Sequence, residues 1–183
     1  MSFAAMLLGL YGGVLYAAAQ DDVNPQTATL KDFEKRIGDY VSLQKNLQKG
    51  LAPAKQTTEP QTIIDRQGEL ARKIREARSN GRQGDIFTPD IAKEFRRLIG
   101  LAKQGKNDEH IKKSLERAEP VRLTLHVNEA YPANIPLQST PPSILLNLPR
   151  LPPELEYRIT GRALVLRDAT ANIVVDLIPD AIP

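Results

Sequence analysis

The first half of the chain carries apolar residues at steps of three and four, the spacing that places side chains on one side of a helix. This pattern predicts a first helix over residues 30–50, with Thr29 as its N-cap, and a second over residues 61–80. Segment 52–60 between them carries two prolines and no periodicity. We therefore expect the two helices to pair as an antiparallel hairpin. The predicted contact residues are Leu30, Phe33, Ile37, Tyr40, Gln44, Leu47 and Leu51 in the first helix and Ile63, Gln67, Leu70, Ile74 and Ala77 in the second.

A third helix is predicted to begin at Thr88-Pro89-Asp90. Threonine is a good N-cap, and proline is favoured at the first helical position because its missing N–H has no partner there. Apolar residues then line one face as far as Ala102. A fourth, shorter helix is predicted over residues 107–119, before a proline.

Prolines concentrate in the last part of the chain, where ten of the fourteen lie in residues 120–183. The periodicity there changes to two, the period of a strand. Residues 121–128 are predicted to form a half-buried strand, and residues 131–153 an extended loop with one short strand at 144–148. The end of the chain predicts a three-stranded meander over residues 155–160, 163–167 and 172–178.

The register of this meander follows from its turns. A two-residue turn at Gly161-Arg162 pairs Tyr157 with Leu166, and a second loop over residues 168–171 pairs Leu166 with Ile173. The predicted core face carries Tyr157, Ile159, Leu164, Leu166, Ile173 and Val175, and the opposite face carries Val165 and Val174. Since this second face is also apolar, we expect another part of the chain to cover it.

Together these elements predict an α+β fold, in which an N-terminal helical hairpin or bundle of about four helices precedes a small antiparallel β-meander. We divide the chain into a signal peptide (1–19), a helical region (20–119) and a proline-rich small β domain (120–183).

The signal-peptide assignment rests on residues 3–19, which are apolar and uncharged and end in three alanines before Gln20. Such a segment is typical of an exported protein cleaved after Ala19. No lysine or arginine precedes it, and an uncleaved membrane anchor is the alternative, since about 20 residues cross a bilayer. A helix buried in the mature fold is disfavoured because the segment has no polar face. The prediction is a periplasmic or secreted bacterial protein that meets the membrane only through this segment, if it is uncleaved.

Composition narrows the classes of function. The formal net charge is only +3, aromatic residues make up 5% of the chain, and tryptophan is absent. A nucleic-acid-binding protein usually has a denser basic surface with aromatic residues for stacking, so no nucleic-acid partner is predicted. The sequence contains no cysteine, which excludes disulfides and thiolate chemistry within it.

The main candidate for a binding surface is a group of three arginines, Arg75, Arg78 and Arg82, spaced three and four residues apart. Several other charged residues on the second helix have an oppositely charged residue four positions away with which they can form an ion pair. The three arginines have no acidic residue at that spacing. On a helix continued to Arg82 they would form a cationic ridge for a protein or an anionic envelope component. A solvated helix face is the other interpretation.

Catalytic and metal-binding patterns are not found. His110 and His126 fall on different predicted elements, with no carboxylate at metal-ligand spacing, which favours surface positions. There is no G-x-S-x-G, P-loop or H-E-x-x-H motif. Glu154 and Glu156 are interpreted as solubilising charges on an exposed strand. We therefore predict no catalytic residue, no metal ligand, no cofactor-binding residue and no cofactor.

The tail YRITGRALVLRDATANIVVDLIPDAI, residues 157–182, resembles the C-terminal hairpin of periplasmic proteins of the nickel/cobalt homeostasis family. The whole chain is similar to short exported proteins of soil bacteria. The resemblance to the nickel/cobalt family implies a periplasmic location. It implies no metal-binding residue, because the histidine-rich and aromatic-rich stretches expected beside that hairpin are missing.

These observations favour an exported envelope protein that is not an enzyme and has a binding or structural role. One alternative is a periplasmic metal-homeostasis or stress-response protein. A small periplasmic enzyme is the other, and it would require a pocket that joins His110 or His126 to an acid and a hydroxyl.

Overall fold

The computed structural model describes residues 24–51, 60–102, 113, 124–132 and 140–182. Within these residues the chain forms four helices and a three-stranded antiparallel sheet, so the predicted α+β class is confirmed. No helix in these ranges is long and apolar enough to cross a membrane. In chain order the elements are α1 (Pro25–Lys49), α2 (Pro60–Ala77), α3 (Pro89–Ala102), α4 (Pro142–Leu145), β1 (Leu155–Thr160), β2 (Ala163–Asp168) and β3 (Ile173–Ile178).

Helix α1 begins earlier than predicted. Its N-cap is Asn24, whose Oδ1 accepts a hydrogen bond from the backbone N–H of Gln26 at 3.0 Å. Thr29, the predicted cap, lies inside the helix and donates its hydroxyl to the Pro25 carbonyl at 2.9 Å. The prediction was wrong because Pro25 at the first helical position and an asparagine before it form a complete start signal without an apolar residue.

The helical hairpin of α1 and α2 is confirmed, although its contacts are unequal along its length. The α1 residues Phe33, Ile37, Tyr40 and Gln44 are buried as predicted. In α2 only Leu70 and Ile74 of the predicted stripe are buried, together with Ala71, and Ala77 at the end of the stripe is exposed. Ile63, in the first half, is 57% exposed, so the hairpin does not close over the start of α2 within the described residues.

Helix α3 begins at Pro89, directly after Thr88, as predicted. The backbone N–H of Ile91 donates to the Thr88 hydroxyl at 3.4 Å, and that of Ala92 donates to the Thr88 carbonyl at 2.8 Å. The face that was predicted to be apolar is buried and carries Phe95, which has no exposed surface. Its ring makes edge contacts with Phe33 and Phe87, at centroid distances of 4.9 and 5.2 Å.

The first hairpin of the sheet has the predicted register, in which Tyr157 pairs with Leu166 and Ile159 with Leu164. The turn was identified correctly because Gly161 has a φ of 57°, the left-handed region that glycine occupies without strain. The second hairpin differs. Leu166 pairs with Asp176, and not with Ile173, for two reasons: the loop lies one residue later than predicted, so that Asp168 pairs with Ile173, and a bulge between Leu166 and Arg167 shifts the pairing by one further residue.

The two faces of the sheet carry the predicted side chains despite this shift. The helices cover one face, in a single hydrophobic core that includes the predicted Tyr157, Ile159, Leu164, Leu166, Ile173 and Val175 together with residues of α1, α2 and α3. On the other face Val165 and Val174 are covered by Tyr131, from the proline-rich part of the chain. The helical region and the β-meander therefore share one core.

Two further predictions concern the proline-rich part, and a third concerns the end of the helical region. The strand predicted at 121–128 is wrong over residues 124–128, and residues 121–123 lie outside the described residues; the chain instead pairs with β3 through an isolated bridge at Ala130. The short strand predicted at 144–148 is wrong, because Pro142 occupies a first helical position and permits the single turn α4. The predicted helix at 107–119 lies, apart from Lys113, outside the described residues.

Candidate functional site

Two fully buried carboxylates, Asp168 and Asp176, attach the helices to the sheet. Asp176 accepts backbone N–H groups of Gly84 at 3.0 Å and of Ile86 and Phe87 at 2.8 Å, all in the loop between α2 and α3. A buried charge is tolerated only when such donors surround it. Asp176 therefore holds the α2–α3 loop against the end of β3.

Asp168 ends β2 and makes the second attachment. One carboxylate oxygen accepts the N–H groups of Thr170 and Ala171, and the other accepts the Tyr40 hydroxyl of α1 at 2.8 Å. Burial raises the pKa of Asp168 above its usual value, although these donors favour the charged form. Burial, together with the charge of Asp168, also raises the pKa of Tyr40, so the hydroxyl remains a donor. Both groups connect elements of the fold.

The three predicted arginines are not brought together. Helix α2 ends at Ala77, where the prediction continued it to residue 80, and the cationic ridge required a helix as far as Arg82. Gly81 follows in a turn so close to Asn128 that a Cβ would lie 2.7 Å from its side-chain nitrogen. Arg75 remains exposed on α2, while Arg82 lies in the loop, so the three side chains cannot form one helical face.

Arg78 points inward. Its side chain is 11% exposed, and its guanidinium donates to the Val175 carbonyl at 3.3 Å and to Asn128 Oδ1 at 3.1 Å. The same group lies over the ring of Tyr40, 5.2 Å from its centroid. Arg78 therefore connects the end of α2 to the sheet, whereas the binding role predicted for Arg75 and Arg82 stays a prediction.

An open pocket of about 460 Å³ lies between the α2–α3 loop, the first half of α3 and the end of β3. We call it the arginine pocket, because exposed Arg82 and Arg96 line it. Its floor is apolar and is formed by the buried residues Phe87, Ala92 and Ile178. The arginine pocket therefore combines positive charge at its opening with a hydrophobic base.

The polar contacts of the arginine pocket leave its cations available. Arg96 donates one Nη2 hydrogen bond to the Pro179 carbonyl at 3.0 Å, which holds its guanidinium beside the pocket. The acid in the lining, Asp85, accepts the backbone N–H of Arg82 at 2.9 Å and lies 4.0 Å from Arg78. Its charge is thus directed partly toward Arg78. Two guanidinium groups over an apolar floor fit an anionic group joined to an apolar one.

The sequence pattern indicated Arg82 but not Arg96, and it did not indicate the anchoring role of Asp176. Arg96 lies on the polar side of α3, where an arginine is ordinarily solvated, and Asp176 interrupts an otherwise apolar strand. That interruption was the one available signal, because a charged residue within a buried strand requires partners. Among the described residues, no group of three or more His, Asp or Glu could hold a metal ion. His126 is exposed, and His110 lies outside the described residues.

Comparison of the chain with protein-family models, with curated proteins and with solved structures found no match.

Proposed function

We propose that this chain is an exported protein of the bacterial envelope that is not an enzyme and acts by binding an anionic amphiphile in the arginine pocket. The amphiphile carries a phosphate or carboxylate group next to an apolar chain. The observation that carries the proposal is the placement of Arg82 and Arg96 at the opening of a pocket with a buried apolar floor. Export is supported by the apolar segment 3–19 and the small residues before Gln20.

The contribution of each arginine to the binding free energy follows from the hydrogen bonds that a guanidinium group can donate. Guanidinium groups donate paired hydrogen bonds to phosphate and carboxylate oxygens, and a hydrogen bond to a charged group contributes about 1.5–3 kcal/mol. Loss of either arginine should therefore weaken binding roughly tenfold to a hundredfold. Since both arginines are exposed, binding should also weaken as salt screens their charge.

Isothermal calorimetry with dodecyl phosphate, below its micellar concentration, tests the binding. We expect saturable binding that is lost in Arg82→Glu and Arg96→Glu and retained in Arg75→Glu, an exposed charge reversal outside the pocket. Equal loss in all three variants would indicate general attraction to a basic surface and would contradict the proposal. Vesicles of phosphatidylglycerol and of phosphatidylcholine then distinguish a membrane lipid from a free amphiphile as the source of the anion.

Mass spectrometry of the protein isolated from the envelope fraction of expressing bacteria tests export. The expected product begins at Gln20. Recovery of the chain from the cytosol with Met1 retained would contradict the proposed location, whatever the outcome of the binding measurement.

A further inference from the structure

A second open groove, of about 470 Å³, lies between the segment that contains α4 and strand β1. We call it the proline groove, since Pro149 is part of its wall. Its lining includes Leu145, Leu151 and Tyr157. Leu145 is 43% exposed, and the next residue, Leu146, is 86% exposed. Exposed leucines beside an apolar groove are a typical feature of an interaction surface.

The proline groove follows the outer edge of the sheet. Strand β1 is first in the strand order and pairs on one side with β2. The two-residue turn makes Thr160 and Ala163 a hydrogen-bonded pair, so alternate residues such as Tyr157 direct their backbone groups away from β2. The Tyr157 carbonyl indeed accepts the Thr140 hydroxyl at 3.0 Å from this side. The Leu155 N–H on the same side donates to the Pro152 carbonyl at 3.0 Å, so these two backbone groups of β1 are already paired within the chain.

The charges of the proline groove favour an acidic occupant. Glu156 is paired through both carboxylate oxygens, with Arg158 at 2.5 Å and with Arg167. Burial favours its neutral form, but the two arginines outweigh this effect and lower the pKa of Glu156. The buried Nε of Arg158 has no acceptor among the described residues, and Arg150 lines the groove with an exposed side chain.

From these features we infer that the proline groove binds an extended segment of a partner protein that carries an apolar side chain next to an acidic one. The apolar side chain lies between Leu145, Leu151 and Tyr157. The carboxylate accepts hydrogen bonds from Arg158 and Arg150. An extended peptide fits the groove because its successive side chains point to opposite sides, so that one can face the leucines and the next can face the arginines. This site is separate from the arginine pocket and does not depend on it.

Fluorescence anisotropy with a short labelled peptide of alternating valine and glutamate tests the inference, using the full chain. We expect saturable binding that weakens about tenfold or more in Leu145→Ser and in Arg150→Glu. Lys31→Glu, a charge reversal at an exposed position on α1, and Arg82→Glu in the arginine pocket should leave the affinity unchanged. Peptides of alternating serine and glutamate, or valine and lysine, should bind at least about tenfold more weakly.

Absence of saturable binding by the valine–glutamate peptide would overturn the inference, as would an equal loss in Lys31→Glu. Two other results would do the same by identifying a different occupant. The first is association of the chain with zwitterionic vesicles that is abolished by Leu146→Ser. The second is dimerisation in analytical ultracentrifugation that is abolished by Leu145→Ser. Because Leu145, Leu146 and Arg150 are exposed, thermal unfolding by circular dichroism should show that their variants fold like the parent chain.

Discussion

Asp176 attaches the α2–α3 loop to the sheet, so its replacement should destabilise the folded protein. In Asp176→Ala the backbone N–H groups of Ile86 and Phe87, both buried, lose their acceptor. Each buried donor left without a partner costs about 1–3 kcal/mol, so the free energy of unfolding should fall by roughly 2–6 kcal/mol. This is a large part of the roughly 5–15 kcal/mol that stabilises a small protein.

The isosteric variant Asp176→Asn separates the hydrogen bonds from the volume of the side chain. The asparagine amide keeps one acceptor oxygen but directs its N–H₂ group at the backbone N–H donors of the loop. The free energy of unfolding should therefore fall by about 1–2 kcal/mol, less than in Asp176→Ala. Urea denaturation followed by circular dichroism measures both values. Asp39→Asn is the control, because Asp39 is 67% exposed and its ion pair with Lys35 should contribute at most about 0.5 kcal/mol.

A fall of less than about 1 kcal/mol in Asp176→Ala would show that Asp176 does not hold the loop by itself, because two unsatisfied buried donors cannot cost so little unless the loop has another attachment. The same variant should weaken binding in the arginine pocket, since Arg82 lies in the loop that Asp176 holds. A destabilised loop with unchanged affinity would show that the pocket does not depend on this attachment.

Three further predictions concern the sheet. Tyr40→Phe removes the hydroxyl donor of buried Asp168 and should lower the free energy of unfolding by about 1–2 kcal/mol in urea denaturation. Glu156 has a lowered pKa in the folded state, so its contribution to the free energy of unfolding should be lost as the pH falls below about 4.3. Urea denaturation curves recorded above and below that pH should therefore show a smaller loss of stability in Glu156→Gln than in the parent chain. Gly161→Val places a β-branched side chain at a φ of 57° and should cost about 1–3 kcal/mol, whereas an unchanged melting temperature would contradict the assigned turn.

Local signals explain which parts of the fold could be predicted. Thr88 and Pro89 determine the start of α3 through contacts within one turn, and Gly161 determines the register of the first hairpin through its turn. The second hairpin has a longer loop, which contains Asn172 at a φ of 52°, and a bulge after Leu166. Neither feature has a distinctive residue pattern, so alternation alone predicted the faces correctly and the pairing wrongly.

The candidate sites were harder to predict because each depends on segments that are distant in the sequence. The arginine pocket joins Arg82, Arg96 and the end of β3, which come together only when Asp176 holds the loop to the sheet. Arg78 was predicted to share a surface with Arg82, but its side chain turns inward to Val175. Spacing along a helix indicates a common face only as far as the helix continues, and α2 ends before both arginines.

The proposed binding of an anionic amphiphile is tested most directly by a two-dimensional NMR titration of the ¹⁵N-labelled protein with dodecyl phosphate. We expect saturable shifts of the backbone amides of Gln83, Gly84 and Ala92, around the arginine pocket, and no shift at Arg75. Shifts confined to α2 around Arg75, or a spectrum that does not change, would contradict the proposed binding.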